Sequence, residues 1–371
     1  MLIYFVIFII AFLLSYVAET SKNKIPRLLY FLLVMLAVLI PSILAGLRVY
    51  GIGTDTKGYM NYIFYKCIHL KDIGSLGTYM VHADVEPIFI LVDFIVTRFT
   101  TKINVSYFVI ELILLGTVYL SCTKLKSKSK VSVAYFIFLI LYFNRSLNIC
   151  RQTVAIAFIF LSLHYLIERK FAKFLITDLI AMGFHRIAII IVPFYFFYNV
   201  FHSNSRKAMA QKSIFFLVFF GIIILFKPIV EFLISAGILK SKYLFYINEA
   251  KGNLSIFDVS VKMFMCFMLL MFSKNITKND KNAPFYNMFF IISIFLMFLG
   301  AYFGYAQRLA YYFEYSVIFL ITELVYIVKS LKEKIIMFMI IIALMFGYSY
   351  ICYDYFGWDE TVPYKSIISK L

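Results

Sequence analysis

Three short polar clusters interrupt the long apolar runs of this chain, and each contains residue types that bind anions or accept protons. The first, NRSLNICRQ at 144–152, holds four candidate ligands for anionic groups or sugars: Arg145, Asn148, Arg151 and Gln152. If a helix begins inside the segment, Asn144, Asn148 and Arg151 share one face, which should line a water-filled cavity because it is costly against lipid. The alternative is a plain turn with solvated side chains.

The second cluster pairs a histidine with an arginine in AMGFHRIAIII, at a predicted turn between two apolar runs. His185 is a candidate catalytic base near neutral pH, and Arg186 beside it is a candidate anion ligand. The alternative is a histidine that only forms hydrogen bonds within the turn.

The third cluster, QRLAYYFEY, begins an apolar run with one arginine and several tyrosines. Arg308 is a further candidate anion ligand, and Tyr311 and Tyr312 are candidates for contact with sugar rings, which stack on aromatic faces. An interfacial tyrosine belt is the alternative. Glu314 lies within the apolar run, so we expect it to face the protein interior or a cavity.

The stretch GLRVYGIGTDTKGYMNYIFY at 46–65 adds Arg48 as an anion ligand and Tyr59 as a glycan contact. Asp55, and Glu86 further along the chain, are candidate general bases for a hydroxyl. The alternative is that either carboxylate forms a structural salt bridge with Arg48. GIG is too weak a pattern for a nucleotide-binding loop, because no GK[ST] follows it.

Transmembrane helices must position these residues, because hydrophobic residues make up 63% of the 371 and charged residues only 15%. The mean hydropathy of +0.90 is far above that of soluble globular domains. We predict an all-α polytopic membrane protein with a single transmembrane domain, residues 1–371. It should have about twelve spans (roughly 11 to 13), which we place at 2–18, 28–46, 104–121, 131–147, 150–167, 171–184, 187–201, 213–234, 259–272, 285–303, 308–328 and 335–352.

The lysines orient these spans. Six short lysine-rich loops, among them CTKLKSKSK and SKNITKNDKN, are predicted to be cytoplasmic by the positive-inside rule. Two external loops, 47–103 and 235–258, then cover the candidate active-site side, and the short apolar segment 86–99 is predicted to be a re-entrant or interfacial helix. Six of the nine arginines fall on the external side: Arg48, Arg98, Arg145, Arg151, Arg186 and Arg308.

The positive-inside rule gives no reason for external arginine, whereas a planar guanidinium suits phosphate and carboxylate groups. We therefore predict an anion site, although snorkelling or a local salt bridge explains any single arginine equally well. The net charge of +17 comes mainly from loop lysines, which fit topology better than nucleic-acid binding. The sequence shows no metal-ligand spacing and no Walker motif, so neither a metal nor a cofactor is predicted.

The motifs resemble, in their order along the chain, the EpsG/Wzy-like family of bacterial polysaccharide polymerases. They are LRVYGIGTDTKGYMNYI, VEPIFILVDFIV, NRSLNICRQTVAIAFIF, IAMGFHRIAIIIVPFYF and QRLAYYFEYSVIF, and the resemblance covers the chain from about residue 50 to about residue 330. The resemblance implies a GT-C-like, metal-independent membrane glycosyltransferase. It also implies transfer of a growing glycan from undecaprenyl diphosphate to a hydroxyl of a lipid-linked repeat unit, on the outer face of the bacterial inner membrane. The product would be O antigen (lipopolysaccharide), capsule or exopolysaccharide.

The implied partners are an undecaprenyl-diphosphate-linked oligosaccharide, membrane lipid, a flippase and a chain-length regulator. In this chemistry the arginines stabilise the leaving diphosphate, and His185 first, then Asp55 or Glu86, activates the acceptor hydroxyl. One alternative is a flippase for the same lipid-linked sugar, which needs similar arginines but also a polar path through the bilayer. Others are an O-antigen ligase-type transferase and an acyltransferase, for which His202 is the candidate.

Overall fold

The computed structural model describes residues 1–125, 130–203, 205–237 and 255–368. These ranges are helical except for loops and one isolated β-bridge, as expected where hydrocarbon requires the backbone to satisfy its own hydrogen bonds. The helices are α1 Leu2–Ser21, α2 Arg27–Gly46, α3 Asn61–Ile68, α4 Ile73–His82, α5 Pro87–Thr97, α6 Ile103–Cys122, α7 Val131–Ser146, α8 Cys150–Ile167, α9 Phe171–Phe184, α10 Val192–His202, α11 Arg206–Ile224, α12 Phe226–Ser235, α13 Ile256–Met271, α14 Ser273–Asn279, α15 Ala283–Gly300, α16 Gly304–Glu314, α17 Val317–Val325 and α18 Leu331–Tyr350.

Seven helices in the described part of the chain are long and apolar enough to cross a membrane, and the bent pair α13 and α14 brings the number to eight at most. The protein is therefore an all-helical, multi-pass membrane protein. Each predicted span coincides with one helix or with two consecutive helical segments. The predicted count of twelve crossings stays a prediction, because several apolar helices are shorter than a full span.

The predicted loop 47–103 contains four helical segments: a π-helical turn at Thr56–Met60, then α3, α4 and α5. Pro87 begins α5, where the lack of a proline N–H costs nothing. This apolar helix has 11 residues, so it is about 16 Å long and shorter than a hydrocarbon core of about 30 Å. Of the predicted loop 235–258, residues 238–254 lie outside the described residues.

Contacts within the chain define two compact units, one of residues 1–189 and 321–371 and the other of residues 190–320. In the first unit, α7 is the central helix and packs against α1, α6, α8 and α18. Every residue from Ser132 to Ser146 is buried, because the sequence of α7 is apolar on all sides and a helix of that kind is stable only inside a protein or lipid.

In the second unit, α15 packs between α13 and α16. Its core includes a buried ion cluster, in which the Lys262 Nζ lies 3.0 Å from Asp258 Oδ2 and 3.0 Å from Glu314 Oε1. All three side chains are buried, so the prediction that Glu314 faces the interior is confirmed. A cation between two carboxylates links α13 to α16.

Replacing Lys262 tests the cluster. The Lys262→Met variant should lose about 3–5 kcal/mol of unfolding free energy, because it removes the cation that lies 3.0 Å from each of two buried carboxylates. The thermal unfolding midpoint of the purified protein measures the loss. Lys227→Met is the matched control: its ion pair with Glu231, 3.9 Å apart, is exposed, and its loss should cost less than about 1 kcal/mol. Equal shifts for the two variants would contradict a stabilising role for the cluster.

Candidate functional site

The polar segment 144–152 forms a turn between two helices. Because α7 ends at Ser146 and α8 begins at Cys150, the prediction that Asn144, Asn148 and Arg151 share one helical face is wrong. The alternative of solvated side chains is also wrong for most of the segment, since Arg145 is 6% exposed and Asn144 fully buried. The turn is buried together with Leu147, an apolar residue in its middle that is itself fully buried.

Four of the predicted site residues meet beside this turn: Asp55, Tyr59, Glu86 and Arg151. We call them the carboxylate–arginine cluster. The Arg151 Nη1 donates to Glu86 Oε2 in an ion pair, and the guanidinium lies 4.1 Å from the centre of the Tyr59 ring. The Tyr59 hydroxyl donates to Asp55 Oδ2 at 2.5 Å. Arg151 is thus held by the Glu86 carboxylate and by the face of the Tyr59 ring. The Tyr59 hydroxyl is in turn bound to the Asp55 carboxylate.

Local structure explains how these side chains come together. Asp55 and Tyr59 are four residues apart at the π-helical turn, and Glu86 is the residue that precedes the first turn of α5. Arg151 lies in the first turn of α8, where the Cys150 N–H donates to Asp55 Oδ2 at 2.9 Å. A carboxylate from a distant segment therefore accepts from a free amide at the start of α8, where the helix dipole favours negative charge.

The protonation of Tyr59 and the donors of Arg151 decide what the cluster can do. Burial, followed by the negative charge of Asp55, raises the pKa of Tyr59 well above its usual value, so the phenol stays protonated and acts as a donor. The Arg151 Nε is buried and, among the described residues, has no hydrogen-bond partner. The guanidinium therefore keeps one donor for another acceptor.

Asn148 links two loops. Its Oδ1 accepts from the backbone N–H of Thr54 at 2.9 Å and from the Thr54 hydroxyl, while its Nδ2 donates to Asp359 Oδ1 at 2.6 Å. Burial raises the pKa of Asp359, and the positive charge of Arg145 and the bond from Asn148 oppose that shift. The sequence prediction missed this C-terminal turn; its signal was the acidic pair in FGWDE directly after the last apolar helix.

Arg48 lies in the interior of the first unit, where it is 1% exposed. Its guanidinium lies 4.6 Å from the centre of the Tyr107 ring and donates to Cys150 Sγ at 3.7 Å. Within the described residues its Nε and Nη1 have no hydrogen-bond partner. The alternative that Arg48 pairs with Glu86 is wrong, because Arg151 holds that carboxylate.

The backbone around Arg48 explains why the side chain is buried. Arg48 forms a β-bridge with Ser366, with hydrogen bonds from Val49 N to Lys365 O at 3.0 Å and from Ile367 N to Leu47 O at 2.9 Å. Successive side chains of an extended segment point to opposite sides, so this pairing with the C-terminal segment directs Arg48 inward. A residue predicted to be an anion ligand in an external loop thus becomes part of the core.

His185 and Arg186 lie at the end of α9, next to the cluster. The Arg186 backbone N–H donates to Glu86 Oε1 at 3.3 Å, whereas its side chain is exposed. His185, one residue earlier, is half-buried. The position of His185 beside the cluster agrees with a role there, but its predicted role as a base stays a prediction.

The remaining candidates have other surroundings. Gln152 is buried in the first turn of α8. Arg98 donates to the backbone carbonyls of Leu70 and Cys67, both at 2.8 Å, and so satisfies carbonyls at the end of α3. Three candidates belong to α16 in the second unit, where Arg308 is exposed, Tyr311 half-buried and Tyr312 buried.

Among the described residues, no group of three or more His, Cys, Asp or Glu side chains is arranged to hold a metal ion.

Gly53 allows the loop to approach the turn between α7 and α8. Its φ is +79°, and a Cβ atom there would overlap the Leu147 carbonyl. The unfolding free energy of the Gly53→Ala variant should therefore fall by about 1–2 kcal/mol, because alanine is strained in the left-handed conformation. Overpacking should lower it by about 1–3 kcal/mol more. Gly51→Ala is the control, because its φ of +95° is similar but its Cβ would only touch the Lys57 side chain. Equal losses in urea or thermal unfolding would contradict a tight contact at Gly53.

Comparison with known proteins gives one finding. A model of the EpsG family matches residues 31–366, a range that contains the carboxylate–arginine cluster, the turn between α7 and α8, and the acidic turn near the C-terminus. No curated protein and no solved structure matches the chain.

Proposed function

Because the chain belongs to the EpsG family, we propose that it is a polysaccharide polymerase of the Wzy type in the bacterial inner membrane. It transfers a growing glycan from undecaprenyl diphosphate to a hydroxyl of a lipid-linked oligosaccharide repeat unit, without a metal. The observation that carries the proposal is the family match over residues 31–366. The carboxylate–arginine cluster inside that range supports it, because the cluster combines an anion-binding group with two carboxylates.

The proposed architecture is GT-C-like, with about twelve crossings and the reaction on the periplasmic or outer face. The lysine-rich loops support this orientation, since they favour the cytoplasmic side. The cluster is built from the loop 47–103 and from the turns that begin α8 and follow α9, all of which the lysine pattern assigns to the opposite side. The product is an O antigen, a capsule or an exopolysaccharide.

The proposed reaction begins with an exchange of ion pairs. When the diphosphate of the donor arrives, the Arg151 guanidinium turns from Glu86 to a phosphate oxygen, and its unused Nε–H adds a second donor to the fork. As the bond between the sugar C1 and the phosphate oxygen breaks, its electron pair stays on the diphosphate. The guanidinium stabilises this charge in a partly dry site.

The same exchange releases Glu86 as the base. Its carboxylate takes the proton of the acceptor hydroxyl while the hydroxyl oxygen forms the new bond to C1. Tyr59 stays protonated and keeps Asp55 occupied, which makes Asp55 an orienting carboxylate and Glu86 the first candidate for the base. His185 beside the cluster is the second candidate.

The other predicted residues keep their predicted roles in the proposal. Around this centre, Arg145 and Arg186 contact the second phosphate or the incoming repeat unit, Arg48 adds positive charge from the interior, and Asn148, Gln152 and the Tyr59 ring contact sugars. Arg308 stays a predicted anion ligand, and Tyr311 and Tyr312 stay predicted sugar contacts, within the second unit. The polyprenyl chain lies against apolar helix faces that are open to lipid.

The Glu86→Gln and Arg151→Lys variants test the exchange. Loss of the base should lower the polymerisation rate about 10²–10⁴-fold, and lysine in place of arginine keeps the charge but loses the two-donor fork. Gel profiles of surface glycan should change from long chains to single repeat units, as they should for Arg151→Ala and His185→Ala. The matched control is Glu360→Gln, which breaks an exposed pair with Lys57 and should keep long chains.

The glycan profile separates the competing functions at equal membrane levels of each variant. Single repeat units outside the cell mean that transport works and polymerisation fails. Loss of every unit from the outside would favour a flippase instead. Long chains in the Glu86→Gln and Arg151→Ala variants would overturn the assignment of the cluster as the site.

A further inference from the structure

The second unit contains a groove that the proposed reaction does not use. Its volume is about 920 Å³, and it lies between α11, α13, α14 and α15. That volume is near the upper end of the range of about 300–1,000 Å³ for pockets that enclose small-molecule ligands. Its apolar part is lined by Phe216, Phe220, Leu270, Ile291, Ile292 and Phe295.

One end of the groove is basic. Helix α14 contributes four polar side chains there: Ser273, Lys274, Thr277 and Lys278. Lys274 and Lys278 are four residues apart, so they share one side of the helix, and both are exposed. Within the part of the chain that the structure describes, neither ammonium group forms an ion pair, unlike Lys262 in the same unit.

The nearest acid in the sequence does not neutralise these lysines. Asp280 is 7% exposed, and its Oδ1 accepts from the backbone N–H of Asn282 at 2.8 Å and from its side-chain amide at 3.1 Å. This carboxylate is therefore used to close the turn before α15. The basic end of the groove keeps two positive charges.

The surroundings of the groove are those of a membrane-facing site. Helices α13 and α14 meet at a bend of 68°, so α14 departs from the axis of the apolar helix, as interfacial segments do. Phe267 and Met271, near the end of α13, are 59% and 60% exposed, which is the exposure expected of residues that contact lipid tails. The change from apolar to basic along the groove follows the change from tail to headgroup along a lipid.

We propose that this groove binds an anionic phospholipid of the surrounding bilayer. Its acyl chains lie against the phenylalanine and isoleucine side chains, and its phosphate lies between Lys274 and Lys278. Basic pockets between membrane helices suit anionic headgroups, which the cytoplasmic leaflet supplies, and the loop SKNITKNDKN is predicted to lie on that side. A zwitterionic lipid would leave the two positive charges without a net counter-charge. The site does not depend on the proposed polymerase function.

Tryptophan quenching in the full-length protein tests the site. Trp358 is the single tryptophan, so a Trp358→Phe background with Phe295→Trp places the only reporter in the groove. After reconstitution, nitroxide-labelled phosphatidylglycerol should quench it at lower mole fractions than labelled phosphatidylcholine. Adding Lys274→Gln and Lys278→Gln should weaken the preference roughly 25-fold, at about five-fold for each lysine.

The matched control is Lys332→Gln with Lys334→Gln, which removes two lysines near the start of α18 and should leave the preference unchanged. Native mass spectrometry of the protein with its natural tryptophan gives a second measurement, and the Lys274 and Lys278 variant should retain less phosphatidylglycerol. Equal quenching by both lipids, or a preference that survives loss of both lysines, would overturn the proposal. So would displacement by a polyprenyl phosphate at concentrations where phosphatidylglycerol fails to compete, which would assign the groove to the substrate lipid.

Discussion

The ion pair between Arg151 and Glu86 joins the start of α8 to the start of α5, and the surrounding contacts depend on it. A guanidinium in a partly dry region is costly unless a carboxylate and further polar or aromatic groups surround it. Glu86 supplies the charge and the Tyr59 ring supplies a face. Tyr59 in turn needs an acceptor for its hydroxyl, and Asp55 provides it while also accepting from the first amide of α8. Each polar group of the cluster thus has a charged, aromatic or hydrogen-bonding partner in a neighbouring member.

The same constraint explains how the chain treats its other charges. Lys262 is buried and lies between two carboxylates, whereas Lys274 and Lys278 are exposed at the end of a groove and keep their charge. Arg48 is the exception, since it is buried with an aromatic ring and a thiol as neighbours and with two nitrogens that lack partners in the described residues. In both clusters, the buried cation is therefore paired with carboxylates.

The helices were largely predictable from the sequence because apolar run length is a local property. Cys150–Ile167 agrees with the predicted span 150–167, and Val131–Ser146 ends one residue before the prediction. The sequence also marked Asp55, Tyr59, Glu86 and Arg151 as candidates, since charged and polar residues beside apolar runs are rare and costly. The prediction of one shared helical face was wrong at the turn between α7 and α8. The burial of Leu147 in this turn depends on neighbours that come from other parts of the chain.

The sequence by itself determined that this is a helical membrane protein, which segments are apolar, and which few polar residues are candidates for chemistry. Only the tertiary structure decided the partners: Arg151 with Glu86, Arg48 with the core, and Asn148 with Asp359. These choices depend on contacts between segments tens to hundreds of residues apart, such as the 211 positions that separate Asn148 from Asp359. Hydropathy acts residue by residue and is readable along the chain, whereas the pairing of buried charges depends on geometry that exists only after the helices have packed.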